Sequence, residues 1–134
     1  MTPPPKNLLL GVRVLLVDDD EDLRDLFALA LQEAGADVRA ASDAEDAMRT
    51  VLEWHPSVVV SDLSMPSKDG FMLLRDVRSV DPLRHIPAIA VSAWTEPRHR
   101  EAALAAGFQE LVTKPLTPHD LVAVVKRWSP STAA

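Results

Sequence analysis

The stretch VVVSDLSMPSKDG, Val58 to Gly70, takes three consecutive valines straight into Ser61 and Asp62, then into a loop containing Pro66 and Gly70. A short β-branched run of this kind predicts a strand covered on both faces. Beyond the loop, Leu73, Leu74 and Val77 recur at helical spacing and predict a helix from Phe71 to about Ser79. A carboxylate at the very end of a dry strand, followed by a loop and a helix, is the unit from which the rest of the chain can be read.

The same unit repeats on both sides of this stretch. Upstream, VRVLLV (Val12 to Val17) predicts a strand, and Leu23, Leu26, Phe27, Ala30, Leu31 and Ala34 form a helical stripe stopped by Gly35. A weaker strand follows at Asp37 to Ala41. Ser42 and Glu45 then read as a capping box for a helix that buries Ala44, Ala47, Met48, Val51 and Leu52 and ends at His55-Pro56. Downstream, Ala88 to Val91 and Leu111 to Thr113 are predicted strands. Between them lies an alanine-rich helix, Pro97 to Ala106, closed by Gly107; its small inward residues predict weak anchoring. Thr117, Pro118 and Asp120 open a last helix that buries Leu121, Val124, Val125 and Trp128. Trp54 and Trp128 are expected to pack into the core at helix ends. Five strand-helix units without a hairpin signal predict an α/β fold with a parallel sheet between two helical layers.

With 134 residues the chain has the length of one domain, and a net charge of −6 argues against general nucleic-acid binding. Cysteine is absent, which excludes disulfides and thiolate chemistry. The opening MTPPPK lacks the apolar helix of a signal peptide, and Leu8 to Val17 is too short to span a bilayer, so a cytoplasmic location without membrane contact is expected. Residues 1–11 read as an N-terminal extension, 12–128 as the domain and 129–134 as a flexible tail. His55, His85, His99 and His119 show no metal-ligand spacing and read as surface residues.

In a parallel sheet every strand ends at the same edge, so the residues following the apolar runs become neighbours. Asp18, Asp19 and Asp20 follow the first strand, Ser61 and Asp62 the third, Ser92 the fourth, and Thr113 and Lys114 the fifth. Carboxylates crowded in this way repel by about 4 kcal/mol per pair at an effective dielectric of roughly 20. They call for cations: Lys114, and a hard divalent ion, with Mg2+ fitting best and Mn2+ as the substitute. Such equipment suits the equatorial oxygens of a transferring phosphoryl group, with Asp62 as the nucleophilic carboxylate.

The motifs VDDD (Val17 to Asp20), SDLSMPSKDG (Ser61 to Gly70), VSA (Val91 to Ala93) and TKP (Thr113 to Pro115), in this order and spacing, resemble a two-component response regulator receiver domain of the single-domain, chemotaxis-regulator-like kind. The resemblance runs from Val12 to Trp128. It implies the flavodoxin-like (βα)5 sandwich with strand order 2-1-3-4-5. It also implies Asp62 as phosphoacceptor, and a Mg2+ site made by Asp18, Asp19, Asp62 and the backbone carbonyl of Ser64. Ser92 would hydrogen-bond the phosphoryl oxygens and move on phosphorylation as a switch residue, Lys114 would pair with the same group, and Lys114-Pro115 would be a cis peptide. The implied donor is a sensor histidine kinase or histidine phosphotransfer protein, and the implied output is contact with a downstream protein by a monomer or a phosphorylation-dependent dimer. The chain would then be no enzyme beyond self-catalysed phosphotransfer and dephosphorylation.

Two positions depart from the family pattern: Leu111 stands where an aromatic switch residue is common, and Trp94, two residues after Ser92, is expected to shield the acyl phosphate from water. Two other readings remain open on sequence grounds. A haloacid-dehalogenase-type phosphotransferase would use Asp18 as nucleophile and Asp20 as acid/base, but it needs a further acidic pair after the lysine, where only Asp120 follows. A receiver excised from a hybrid kinase or larger regulator, or one that has lost its chemistry, would share the fold; Met1 and a tail without linker character lean against excision.

Overall fold

The computed structural model describes residues 7–64, 69–93 and 96–129. Five parallel strands, β1 (Arg13–Val17), β2 (Asp37–Ala41), β3 (Val58–Asp62), β4 (Ala88–Ser92) and β5 (Glu110–Thr113), form one sheet in the order β2-β1-β3-β4-β5. The connecting helices are α1 (Glu21–Glu33), α2 (Ala44–Trp54), α3 (Gly70–Arg78), α4 (Pro97–Ala106) and α5 (Pro118–Trp128). This is the expected flavodoxin-like α/β sandwich. The register pairs Val17 with Ser61, Asp62 with Val91, and Ser92 with Thr113, so the strand ends are level along one edge.

Side-chain alternation divides the core between the two sheet faces. Leu15, Val17 and Val59 pack with Ala47, Val51, Leu73, Leu74, Val77 and Ala103 of α2, α3 and α4. Val14, Leu16, Val58 and Val60 pack with Phe27 and Leu31 of α1 and with Leu121 and Val125 of α5. Both central strands, β3 and β4, are buried along their whole length. Leu9, within the expected N-terminal extension, is fully buried in the second cluster, and its amide donates to the carbonyl of Ala34.

Local rules account for most boundaries. Asp20 caps α1 by accepting from the Leu23 amide, and Thr117 and Asp120 form a reciprocal capping box on α5. Gly107 closes α4 in the left-handed conformation. Lys114-Pro115 is cis.

Several details differ from expectation. The cap of α2 is Asp43, whose side chain accepts from the Asp46 amide, and not a Ser42–Glu45 box; adjacent capping residues compete, and the carboxylate of Asp43 wins. Replacing Asp43 with Ala should therefore cost about 1 kcal/mol in urea unfolding, whereas Ser42→Ala should stay within about 0.5 kcal/mol. Leu26 and Leu52 are about half exposed, because each lies one residue, or about 100° of helical turn, from the buried Phe27 and Val51. Trp54 is only half-buried: the guanidinium groups of Arg39 and Arg13 lie over its ring, 4.9 and 5.8 Å from the centroid. Trp128 packs against the second core, and its Nε1 donates to Glu110, which also pairs with Arg127. An unforeseen 3-10 turn, Asp81–Leu83, precedes β4 and seats Leu83 in the first core. In α4 only Ala103 is buried.

Candidate phosphoacceptor site

The C-terminal ends of β1, β3 and β5 bring Asp18, Asp19, Asp62 and Lys114 together. One carboxylate oxygen from each of the three aspartates lies within 4.8 Å of the others. Lys114 Nζ is 3.1 Å from Asp62 Oδ2 and 3.8 Å from Asp18 Oδ2. Asp62 is only 7% exposed and Asp18 3%, so their charges sit in a crevice floor that strongly favours neutralisation. Asp19 is exposed at the rim.

Backbone donors fix both buried carboxylates. Asp18 Oδ1 accepts from the Asp20 amide at 2.9 Å, and Asp62 Oδ1 accepts from the Ser64 amide at 3.0 Å. The guanidinium of Arg24, on α1, donates to the Asp18 carbonyl at 2.9 Å and ties this loop to its helix. Ser92 is buried at the end of β4, where its carbonyl accepts from the Lys114 amide and so couples the lysine to the neighbouring strand.

Burial pushes the Asp18 carboxyl above the ordinary aspartate value of 3.8, and the charges of Asp62 and Asp19 add to the rise, against the opposing pull of the Asp20 amide and Lys114. For Lys114, burial works to lower the ammonium's pKa, but the hydrogen bond to Asp62 and the charges of Asp18, Asp62 and Asp19 carry it above 10.5. The three carboxylates thus outweigh the one cation beside them. A hard, oxygen-seeking divalent cation fits this donor set.

The consequence for stability has a definite sign. Because folding raises the Asp18 pKa, the folded state binds the proton more tightly, and stability falls as pH rises through the interval just above 3.8. Lys114 contributes stability that persists below 10.5 and is lost only above it. Asp18→Asn should therefore be more stable than the parent at neutral pH in the presence of chelator. Urea titrations across acid pH should show the difference shrinking as Asp18 becomes protonated.

Other expected site residues fall elsewhere. Asp20 caps α1, its Oδ1 accepting from the Leu23 amide, and stands outside the Asp18, Asp19 and Asp62 cluster. Leu111 is buried in the first core, below the rim, and Thr113 is exposed. Trp94 lies outside the described residues. Ser64 stands exposed beside Asp62.

Gly70 has a role that sequence reading missed. A Cβ at this position would lie 2.5 Å from the carbonyl oxygen of Asp62 and 3.1 Å from Cα of Leu63. The Asp69-Gly70 pair looks like turn chemistry in sequence; in the structure Asp69 caps α3 and Gly70 lets that helix start against the strand bearing Asp62. In the sequence nothing separates this glycine from an ordinary Asp-Gly turn, because the contact that needs it is made across the loop.

The chain matches the family model for the response regulator receiver domain over residues 14–126. It is 39% identical over 120 residues to the uncharacterized 14.6 kDa protein in the sodA1 3′ region of Leptolyngbya boryana, covering 90% of this chain and 92% of that one. It is 34% identical to the transcriptional regulatory protein GltR of Pseudomonas aeruginosa over 87% of this chain and 48% of that protein, so it spans about half the length of that relative. Among solved structures, the chemotaxis protein CheY4 of Vibrio cholerae superposes with a TM-score of 0.84 at 28% identity, covering 87% of this chain and 98% of that one. Fold, site and similarity agree: this chain belongs to the response regulator receiver domain family of two-component systems.

Proposed function

We propose that Asp62 accepts a phosphoryl group from a phosphohistidine on a sensor histidine kinase or histidine phosphotransfer protein. The observation that carries this reading is the meeting of Asp18, Asp19, Asp62 and Lys114 at one sheet edge, with Asp62 at the end of the central strand. An oxygen of Asp62 attacks phosphorus as the phosphorus–nitrogen bond of the donor breaks. The imidazole leaves with that bond's electron pair, and an acyl phosphate remains on Asp62. Strand β3, buried on both faces, and the Ser64 amide hold the carboxylate still for attack. Lys114, already at Oδ2, and Ser92, on the adjacent strand, take the new phosphoryl oxygens.

Asp18, Asp19, Asp62 and the carbonyl of Ser64 would hold a Mg2+ ion, or Mn2+ in its place. When bound, such an ion supplies positive charge against the phosphoryl oxygens that one lysine does not provide. The chain itself catalyses no reaction on a separate substrate: phosphoryl uptake and hydrolysis both occur on its own side chain. Its output is a phosphorylation-dependent contact with a downstream protein, by monomer or dimer in the cytoplasm, through a shift between pre-existing conformations. Among the described residues no helix is long and apolar enough to cross a membrane.

The test is incubation with acetyl phosphate and Mg2+, followed by intact mass measurement and peptide mapping under conditions that preserve acyl phosphates. One added phosphoryl group per chain, located on Asp62 and dependent on the cation, is expected. Labelling at another residue, or continuous turnover of an aryl phosphate with no labelled protein, would overturn the reading.

A further inference from the structure

Ser61 is a hydroxyl in a strand that is otherwise apolar up to Asp62, and it is completely buried. A serine there would leave a costly unpaired polar group unless it had a partner. Its partner is the backbone: Ser61 Oγ donates to the carbonyl oxygen of Asp62 at 2.9 Å. The same carbonyl is the atom that a Cβ on Gly70 would strike, and Ser61 Oγ itself lies 3.2 Å from that Cβ position. Two neighbours on the α3 side thus act on one oxygen, Gly70 by leaving room for it and Ser61 by hydrogen-bonding it. The peptide they fix joins Asp62 to Leu63. On its far side the Ser64 amide reaches back to Asp62 Oδ1, and the Gly70 amide donates to the Leu63 carbonyl.

We propose that Ser61 is a positioning residue for phosphoryl acceptance: its hydroxyl fixes the Asp62–Leu63 peptide, and thereby the orientation of the Asp62 carboxylate toward Lys114 and the acidic pair. Ser61 touches neither phosphorus nor metal; it acts through Asp62. An apolar residue of similar size would fill the space equally well but remove the bond to the carbonyl side of this peptide, leaving the Leu63 amide's bond to the Val91 carbonyl to hold it from the sheet side. This inference rests on the reading of Asp62 as phosphoacceptor, so labelling of the unsubstituted protein at Asp62 is established first; absence of that labelling would count against the acceptor reading and not against Ser61.

The deciding comparison is Ser61→Ala against Ser61→Thr, with phosphorylation followed at saturating acetyl phosphate. Ser61→Ala should slow the first-order step by about tenfold, because small misplacements of a reacting group are expensive in rate. Ser61→Thr retains the donor and should recover the rate to within about threefold. The carbonyl carbon resonance of Asp62 should move upfield in the alanine variant and stay in place in the threonine variant. An alanine variant that reacts at the parent rate, a folded threonine variant as slow as the alanine one, or an unmoved carbonyl resonance in Ser61→Ala would each overturn the proposal. If the added methyl of threonine prevents folding, the alanine rate and carbonyl resonance decide by themselves.

Discussion

Asp62→Asn is expected to take up no phosphoryl group from acetyl phosphate, a loss of at least about a thousandfold, or roughly 4 kcal/mol of transition-state stabilisation. An amide oxygen is a poor nucleophile, and the substitution also removes the charge that holds Lys114 at 3.1 Å. The fold should survive, because Asn can still accept from the Ser64 amide through its side-chain oxygen. Circular dichroism and intact mass after acetyl phosphate treatment check both halves. A phosphoryl group that persists in the variant would remove Asp62 from its assigned role.

Gly70→Ala carries the second large effect, and it is structural. Alanine is favoured over glycine within helices by about 1 kcal/mol. Here that gain is overwhelmed: the added carbon would sit 2.5 Å from the Asp62 carbonyl oxygen, and neither the fully buried strand nor the first turn of α3 can shift without disturbing the core. Overpacking against backbone on this scale should destabilise the protein by about 3 kcal/mol. In thermal unfolding this corresponds to a drop of roughly 10 °C. Labelling of the folded fraction should fall as well, because relief of the overlap displaces the peptide that carries the proposed acceptor. Normal stability in Gly70→Ala would show that the helix and strand are not held as tightly as their separation indicates.

The contrast between these two positions shows what the sequence made legible. Asp62 could be recognised because its neighbours along the chain announce a buried strand and its partners at Asp18, Asp19 and Lys114 follow strands of the same kind; topology did the rest. Gly70 could not, because its importance lies in a contact across the strand-helix loop, and in one dimension Asp69-Gly70 is indistinguishable from an ordinary turn. Ser61 was read as one more polar residue at the rim, whereas it lies inside the strand and bonds its own neighbour's carbonyl. The same limit explains the α2 cap, where Ser42 and Asp43 both have suitable side chains and only backbone geometry chooses between them. It explains Trp54 too: its placement at a helix end was visible, but the two guanidinium groups that cover it come from β1 and β2. Period and capping chemistry report on a residue's own helix or strand, and these features depend on a second one.

Strands β3 and β4 have no solvent-facing residue from end to end, and Asp62 and Ser92 are their final members. Segments so thoroughly enclosed open only when the whole molecule unfolds. The carboxylate proposed to react is therefore mounted on the least yielding part of the protein, and any conformational response would have to be carried by its surroundings. Helix α4, which contributes a single enclosed alanine, offers the least resistance to such movement. A rigid anvil beside a lightly tethered helix would let the proposed chemistry and its signal make opposite mechanical demands within one small domain.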